Sequence, residues 1–277
     1  MGSSMETLNS NIDDFWYWYD LGSSQYRRGE YEEALISYDR ALAVRPEDYW
    51  AWYERANILQ ALERYEESIA SLERALQTRP EDYWAWYNRG CIALEELDWY
   101  EDALTCFERA ISVRRNDYWA WYRRGDVFRH LGNYTEAIAS YQKALEKRPD
   151  DYWAYYRQGD AYRHLGDYER ALVNYDRALQ IDGHSFWTWY KHADVCRYLG
   201  KYTEAISSYR QSLALEPEDN YAWYNQGCCA ARLGNVALAV DCLKKAIALK
   251  PSDGQIAQND PDFEPIRISE EWRALFN

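Results

Sequence analysis

The groups in this 277-residue chain that ordinarily do chemistry are six cysteines, four histidines and 46 acidic side chains. A nucleophile or a metal centre needs them at close, patterned spacing, and that spacing is missing. Cys91, Cys106, Cys196, Cys228, Cys229 and Cys242 form no C-x-x-C and no zinc pattern. Most fall in helical patterns, where Cys behaves as a small buried hydrophobe. His130 and His164 have no Cys or carboxylate at ligand spacing, so no metal is expected. No Gly-rich phosphate loop, G-x-S-x-G or H-E-x-x-H is present, and neither catalysis nor a cofactor is expected. What remains is recognition by rings and ion pairs. The chain is 17% aromatic, with 14 Trp, 27 Tyr and 6 Phe, and such rings give contact area at low entropy cost.

These rings recur at fixed spacing. YWAWY stands at 49–53, 83–87 and 118–122, with FWYWY at 15, YWAYY at 152, FWTWY at 186 and NYAWY at 220. Successive starts lie 34 residues apart, or 35 between the third and fourth. Seven repeats result: 15–48, 49–82, 83–117, 118–151, 152–185, 186–219 and 220–253. Within a repeat, Trp or Tyr holds position 4 and Gly or Ala position 8. Tyr is usual at 17, Ala at 20, an aromatic or Leu at 24, Ala at 27 and Pro at 32. In the fourth repeat these are Trp121, Gly125, Tyr134, Ala137, Tyr141, Ala144 and Pro149.

Each repeat reads as two antiparallel helices. Asp48, Asp82, Asp117, Asp151, Asp219 and Asp253 end their repeats where a side chain N-caps the next helix. The first helix stops at Gly29, Gly132, Gly166, Gly200 or Gly234, placed for a left-handed C-cap. The second begins near Tyr31, Tyr134 or Tyr168 and ends before Pro46, Pro80, Pro149, Pro217 or Pro251. The extra residue of the third repeat lies between Gly90 and Tyr100, either as a π-bulge or as a longer turn around Asp98 and Trp99. Residues 1–14 read as a cloning remnant and a polar lead-in, with an N-cap expected near Asp13 or Asp14. Residues 254–277 read as a cap. Ser269 would start a last helix whose Trp272, Leu275 and Phe276 cover repeat seven.

Residues 15–253 resemble the tetratricopeptide (TPR) repeat of bacterial, particularly cyanobacterial, proteins. The resemblance implies an all-α fold, an α-solenoid in a right-handed superhelix of seven helix-turn-helix units with a C-terminal capping helix. It also implies a non-catalytic scaffold whose first helices line a concave, ligand-binding side. The family's carboxylate clamp, with Lys and Asn at set groove positions, is not matched: position 5 is Tyr throughout and position 2 is never Lys.

On the first helix, positions 4, 8 and 11 face the partner helix, which leaves 2, 5, 6, 9, 12 and 13 as the opposite stripe. Position 2 is Trp16, Trp50, Trp84, Trp119, Trp153, Trp187 and Tyr221; position 5 is Tyr19, Tyr53, Tyr87, Tyr122, Tyr156, Tyr190 and Tyr224. Of the 14 Trp, six hold position 2 and six position 4, a core position; Trp99 and Trp272 lie outside the pattern. The position-2 rings either pack on the end of the preceding second helix or form, with the tyrosines, an accessible binding ribbon. Positions 6, 9 and 12 carry Arg123, Asp126 and Arg129, then Arg157, Asp160 and Arg163, then Lys191, Asp194 and Arg197. These are i, i+3 neighbours able to pair along one helix. Six bases against three acids predict a positive central groove on an acidic protein, suited to acidic side chains or a C-terminal carboxylate.

The net charge of −14 and mean hydropathy of −0.72 bound the partner class. Phosphates are repelled by such a chain unless its bases are gathered, and no run of residues is apolar enough to span a membrane. Free thiols and no visible secretory leader lead to the expectation of a cytoplasmic protein. The functional expectation is a scaffold holding an extended peptide, acidic or Pro-rich, or a helix of a partner protein. The alternatives are a single-stranded nucleic-acid or glycan binder that stacks its ligand on the rings, and a module that assembles with itself.

Overall fold

The computed structural model describes residues 2–276, with side chains from residue 14 onward. Every regular element among them is helical. The chain divides into two compact halves, Met1–Asn133 and Tyr134–Asn277.

The N-terminal half holds α1 (Gly2–Arg27), α2 (Tyr31–Val44), α3 (Tyr49–Ala61), α4 (Tyr65–Thr78), α5 (Tyr83–Glu95), α6 (Tyr100–Val113) and α7 (Tyr118–His130). Hairpins α1/α2, α3/α4 and α5/α6 stack in order, each second helix meeting the next first helix. The C-terminal half holds α8 (Tyr134–Leu145), α9 (Tyr152–His164), α10 (Tyr168–Ile181), α11 (Phe186–Tyr198), α12 (Tyr202–Leu215), α13 (Asn220–Arg232) and α14 (Val236–Leu249). It closes with α15 (Ser252–Asn259), a 3-10 helix (Pro261–Ile266) and α16 (Glu270–Phe276). Hairpins α9/α10, α11/α12 and α13/α14 stack by the same rule. Stacked hairpins of this kind make each half a stretch of α-solenoid.

Local chemistry sets these boundaries. Asp48, Asp82, Asp117, Asp151 and Asp219 each accept from the backbone N–H three residues on, at 2.6–3.1 Å; Ser185 caps α11 in the same way. The five predicted C-cap glycines have φ between 71° and 78°. Repeats two and three have no glycine there, and Glu63 and Asp98 take the left-handed conformation instead. Packing then depends on how closely a first helix meets the ring at position 24. A Cβ on Gly22 would lie 2.8 Å from the Tyr38 ring; on Gly90 or Gly159 it would lie 3.0 Å from Phe107 or Tyr175. Tyr38, Phe107, Tyr175 and Tyr209 are fully buried by that approach.

Two boundary expectations are corrected, and one left open is decided. The α1 backbone is already helical from Gly2, so neither Asp13 nor Asp14 is its N-cap; no Pro or Gly between 5 and 14 stops it. Asp253 lies inside α15 rather than capping it. It is buried, and it accepts from Asn220 Nδ2 at 2.9 Å. The π-bulge alternative falls away. Helix α5 keeps the same 13 residues as α3, and the extra residue enlarges the turn 96–99, where Trp99 N–H reaches back to Ala93 O at 2.8 Å.

The tail packs on repeat seven. Trp272, Phe263 and Ile266 are buried in the core they share with Leu243, with Leu275 and Phe276 partly buried against it. Phe263, which sequence reasoning passed over, stands edge-on to Tyr224 at 5.5 Å.

Candidate functional site

The stripe on the first helices separates into three kinds of side chain, and only one is open in every repeat. Position 2 is exposed in every repeat. Trp16, Trp50, Trp84, Trp119, Trp153, Trp187 and Tyr221 retain 44–59% of their surface. Each Trp stands edge-on to the ring before it, at 4.9–5.0 Å, and to the position-5 Tyr three residues on, at 5.7–6.4 Å. In the first three repeats an Arg also braces it. Arg45, Arg79 and Arg114 sit 4.3–4.4 Å over Phe15, Tyr49 and Tyr83 and 5.3–5.6 Å from Trp16, Trp50 and Trp84. Those arginines are the C-caps of the second helix of the same repeat.

Position 5 is not an open face. Tyr122 and Tyr156 are 9% and 8% exposed, and Tyr53, Tyr87 and Tyr190 are half-buried. Their place beside position 4 turns the ring toward the repeat's own second helix: Tyr87 packs on Phe107, Tyr156 on Tyr175 and Tyr190 on Tyr209, at 5.7–6.2 Å. The hydroxyl then ties to the next repeat. Asn88 Nδ2 donates to Tyr53 OH at 2.6 Å and Asn225 Nδ2 to Tyr190 OH at 3.0 Å; Arg123 donates to Tyr87 OH. Burial, and then the nearby Asp82 and Glu54 carboxylates, pushes the Tyr53 phenol up to about 12. The position-4 indoles are half-buried rather than core. Five of these indoles donate their N–H to a carbonyl six residues back, as Trp52 does to Pro46 O at 2.7 Å. The position-1 ring, to which no role was given, is buried in most repeats, and Tyr83 OH donates to the next repeat's cap Asp117 at 2.6 Å.

The charged residues of repeats four to six also turn inward. Asp126 and Asp160 are buried, at 6% exposure each. Asp160 accepts from Tyr175 OH and from Lys191 Nζ of the next repeat, both at 2.7 Å, with Arg163 at 3.6 Å. Burial lowers the Lys191 pKa, against the pull of Asp160. Asp194 accepts from Tyr209 OH at 2.5 Å, with Arg197 at 3.9 Å; burial raises its pKa. Arg123 pairs with Glu95 at 2.7 Å and lies 3.7 Å from Asp126, which Arg129 approaches at 3.9 Å. Arg157 is half-buried, with its Nε enclosed. Arg197 also meets Asp262 of the tail at 3.8 Å. Glu95 and Asp262 therefore join the three predicted acids, and the positive excess read from the sequence is smaller in the folded chain.

His130 and His164 stack on Tyr100 and Tyr134 at 5.1 and 4.6 Å. Among the described residues, the one grouping with metal-ligand geometry is Cys228, Asp260 and Asp262. Asp260 already accepts from Tyr224 OH at 2.7 Å, and Asp262 faces Arg197 and Arg232. Burial pushes the Cys91 thiol to about 11 and Cys106, Cys196, Cys229 and Cys242 to about 12, which keeps them un-ionised near neutral pH.

Ser208, His192 and Asp176 form a chain that sequence reasoning missed, with Nδ1 2.9 Å from Ser208 Oγ and Nε2 3.0 Å from Asp176. The chain links three helices, α10, α11 and α12. Position 7 of repeat two, Arg55, bridges Asp39 and Ser71 in the same way, both at 2.7 Å. Ser208 is buried and donates to Glu204 O. The available signal was a polar residue at position 7 facing an acid at position 25 of the repeat before.

No helix among the described residues is long and apolar enough to cross a membrane. Comparison with solved structures places the fold. The structure titled "YrrB: a TPR protein with an unusual peptide-binding site" is 22% identical, with a TM-score of 0.62 over 68% of this chain and 98% of that one. A tetratricopeptide repeat protein from Parabacteroides merdae is 16% identical, with a TM-score of 0.62 over 96% and 100%. MamA from Desulfovibrio magneticus is 21% identical, with a TM-score of 0.57 over 61% and 96%. No match was found among curated proteins. Two family models described as "Tetratricopeptide repeat" match residues 19–83, 53–98, 87–152 and 190–254, and residues 150–218. With the 34-residue period, the capped hairpins and those matches in agreement, the chain belongs to the tetratricopeptide repeat family.

Proposed function

We propose that this chain is a non-catalytic scaffold that holds an extended segment or a helix of a partner protein along the first-helix stripe. One observation carries the reading: the position-2 ring stays open in every repeat, whereas the rings at positions 1, 5 and 24 are partly or fully buried. A braced, half-exposed indole is a rigid amphipathic contact, the kind that dominates binding hot spots. A regular row of them is an apolar surface of the sort that marks a partner site. The peptide-binding site of YrrB supports the same use of this fold. The ion-paired bases of repeats four to six serve the joints first, and the net charge of −14 weighs against a nucleic-acid ligand.

The test is capture of partner proteins by the intact chain and by the double variant Trp50→Ala, Trp84→Ala. Loss of the captured proteins with unchanged helicity supports the proposal. Identical capture by both, or salt-sensitive retention of RNA in place of protein, overturns it.

A further inference from the structure

Three indoles of the N-terminal half share one setting. Trp16, Trp50 and Trp84 are each braced by an Arg, and the loops between repeats form shallow cavities beside that Arg. One of about 400 Å³ is lined by Arg45, Pro46, Glu47 and Asp48; another of about 450 Å³ is lined by Arg79, Pro80, Glu81 and Asp82. The stripe of repeats one and two carries an acid at position 6. Position 6 is Asp20 in repeat one and Glu54 in repeat two, where repeat four has Arg123. The Asp20, Glu54 and Asp48 carboxylates all bear on Tyr19, and Glu47 and Glu81 are exposed at the loops.

The spacing of the rings selects a ligand conformation. Successive first helices are neighbours in one layer, as α5 and α7 are, so equivalent rings repeat at about one helix-packing distance, roughly 8–10 Å. A polyproline II strand advances about 3.1 Å per residue with three residues per turn, roughly 9 Å per turn. A residue recurring every third place therefore meets one indole per repeat, and a Pro ring on an indole face is how aromatic grooves take such strands. An α-helix rises about 5.4 Å per turn, so only every second turn, at roughly 11 Å, comes near the ladder, and each intervening turn meets no ring.

Resting on the scaffold reading above, we infer that the partner segment on repeats one to four is a basic, proline-rich strand in the polyproline II conformation. It sets one Pro on each of Trp16, Trp50, Trp84 and Trp119, and its Arg or Lys side chains face Asp20, Glu54, Glu47 and Glu81. The joint after repeat three reads Arg115, Asn116 and Asp117, without the Pro-Glu of the first two. The basic side chains accordingly belong to the first two turns of the strand.

The experiment is calorimetric titration of the full chain with synthetic peptides: (Pro-Pro-Arg)₄, its two-turn form, (Pro-Pro-Glu)₄ and (Gly-Ser-Arg)₄. The expected result is saturable binding of (Pro-Pro-Arg)₄, at least ten-fold weaker binding of the other three, and at least a ten-fold loss in the Trp50→Ala, Trp84→Ala variant. Asp20→Asn with Glu54→Gln leaves the rings in place and should flatten the salt dependence, with several-fold weaker binding. Equal affinity for (Gly-Ser-Arg)₄ makes the site a plain charge patch and overturns the inference. So does preference for (Pro-Pro-Glu)₄, or binding that ignores the Trp substitutions. If no peptide binds while the Trp variant still loses its captured proteins, this ligand class is wrong and the scaffold reading stands. If that variant loses nothing, the scaffold reading fails as well.

Discussion

Two aromatic residues one helical turn apart, Trp153 and Tyr156, should respond in opposite ways to removal. Tyr156 is 8% exposed, stacks on Tyr152 at 6.1 Å, leans on Tyr175 at 6.2 Å and carries Lys191 Nζ 4.7 Å over its ring. Trp153 is 55% exposed. A Tyr side chain of roughly 200 Å² that is almost wholly buried represents about 4–5 kcal/mol at 25 cal/mol per Å². Large-to-small changes at such sites cost about 3–5 kcal/mol. The same arithmetic on the covered part of Trp153 gives at most about 2–3 kcal/mol, an upper bound because the unfolded chain also buries some surface. We therefore expect Tyr156→Ala to lower stability by about 3–5 kcal/mol and Trp153→Ala by about 1–2 kcal/mol. The assay is urea denaturation followed by circular dichroism, fitted as a linear array because repeat stacks depart from two-state unfolding. Partner capture should show the reverse order under conditions where both variants are folded. Equal destabilisation by the two substitutions, or a harmless Tyr156→Ala, would refute the division of the stripe into buried position 5 and open position 2.

Other perturbations probe the packing that holds the stripe in place. Gly90→Ala gains up to about 1 kcal/mol of helix propensity, but its Cβ meets Phe107 at 3.0 Å and Cys106 Cβ at 3.1 Å. Overpacking of about 1–3 kcal/mol should win, so a raised Tm would contradict the close approach. Phe263→Ala removes a fully buried tail ring and should cost about 3–5 kcal/mol. Faster amide exchange should appear in α13 and α14 before α9; uniform loss of protection would count against the tail as a local cap. The Tyr19 and Tyr53 phenols are pushed up to about 12, chiefly by burial, from an ordinary value of 10. A raised folded pKa stabilises fully below the unfolded value and is lost as pH rises through the folded one. Stability should therefore fall between pH 10 and 12, and absorbance at 295 nm should show these phenols ionising after the exposed ones. Ionisation of all tyrosines near pH 10 in the folded chain would reject their burial.

Most of the architecture was legible because it rests on local rules. An Asp at the end of a repeat caps the next helix wherever it occurs, a Gly after the first helix supplies the left-handed turn, and a Pro stops the second helix. A 34-residue period carries those rules along the chain. The local rule failed at Asp253, where the following stretch is not a full repeat and the next helix already begins at Ser252, directly after Pro251. Sequence also placed the ring stripe on the first helix, since a 3.6-residue period separates positions 2 and 5 from positions 4 and 8. It did not tell the two ring classes apart. Positions 2 and 5 lie on one stripe, and only the hairpin geometry shows that the aromatic at position 24 draws Tyr156 inward and leaves Trp153 outside.

The charges show the same boundary. Arg123, Asp126 and Arg129 are neighbours along one helix, and sequence spacing alone predicts that they pair there. Whether a base also meets an acid from elsewhere depends on which repeat or tail segment is packed against it. Glu95 reaches Arg123 from the repeat before, Lys191 reaches back to Asp160, and Asp262 arrives from the tail. Residues that follow from hydrogen bonds and dihedral preferences within a few neighbours were determined by sequence alone. Exposure and charge balance sum over atoms brought together by packing from as far as 65 positions away, between Arg197 and Asp262, and only the tertiary structure decides them.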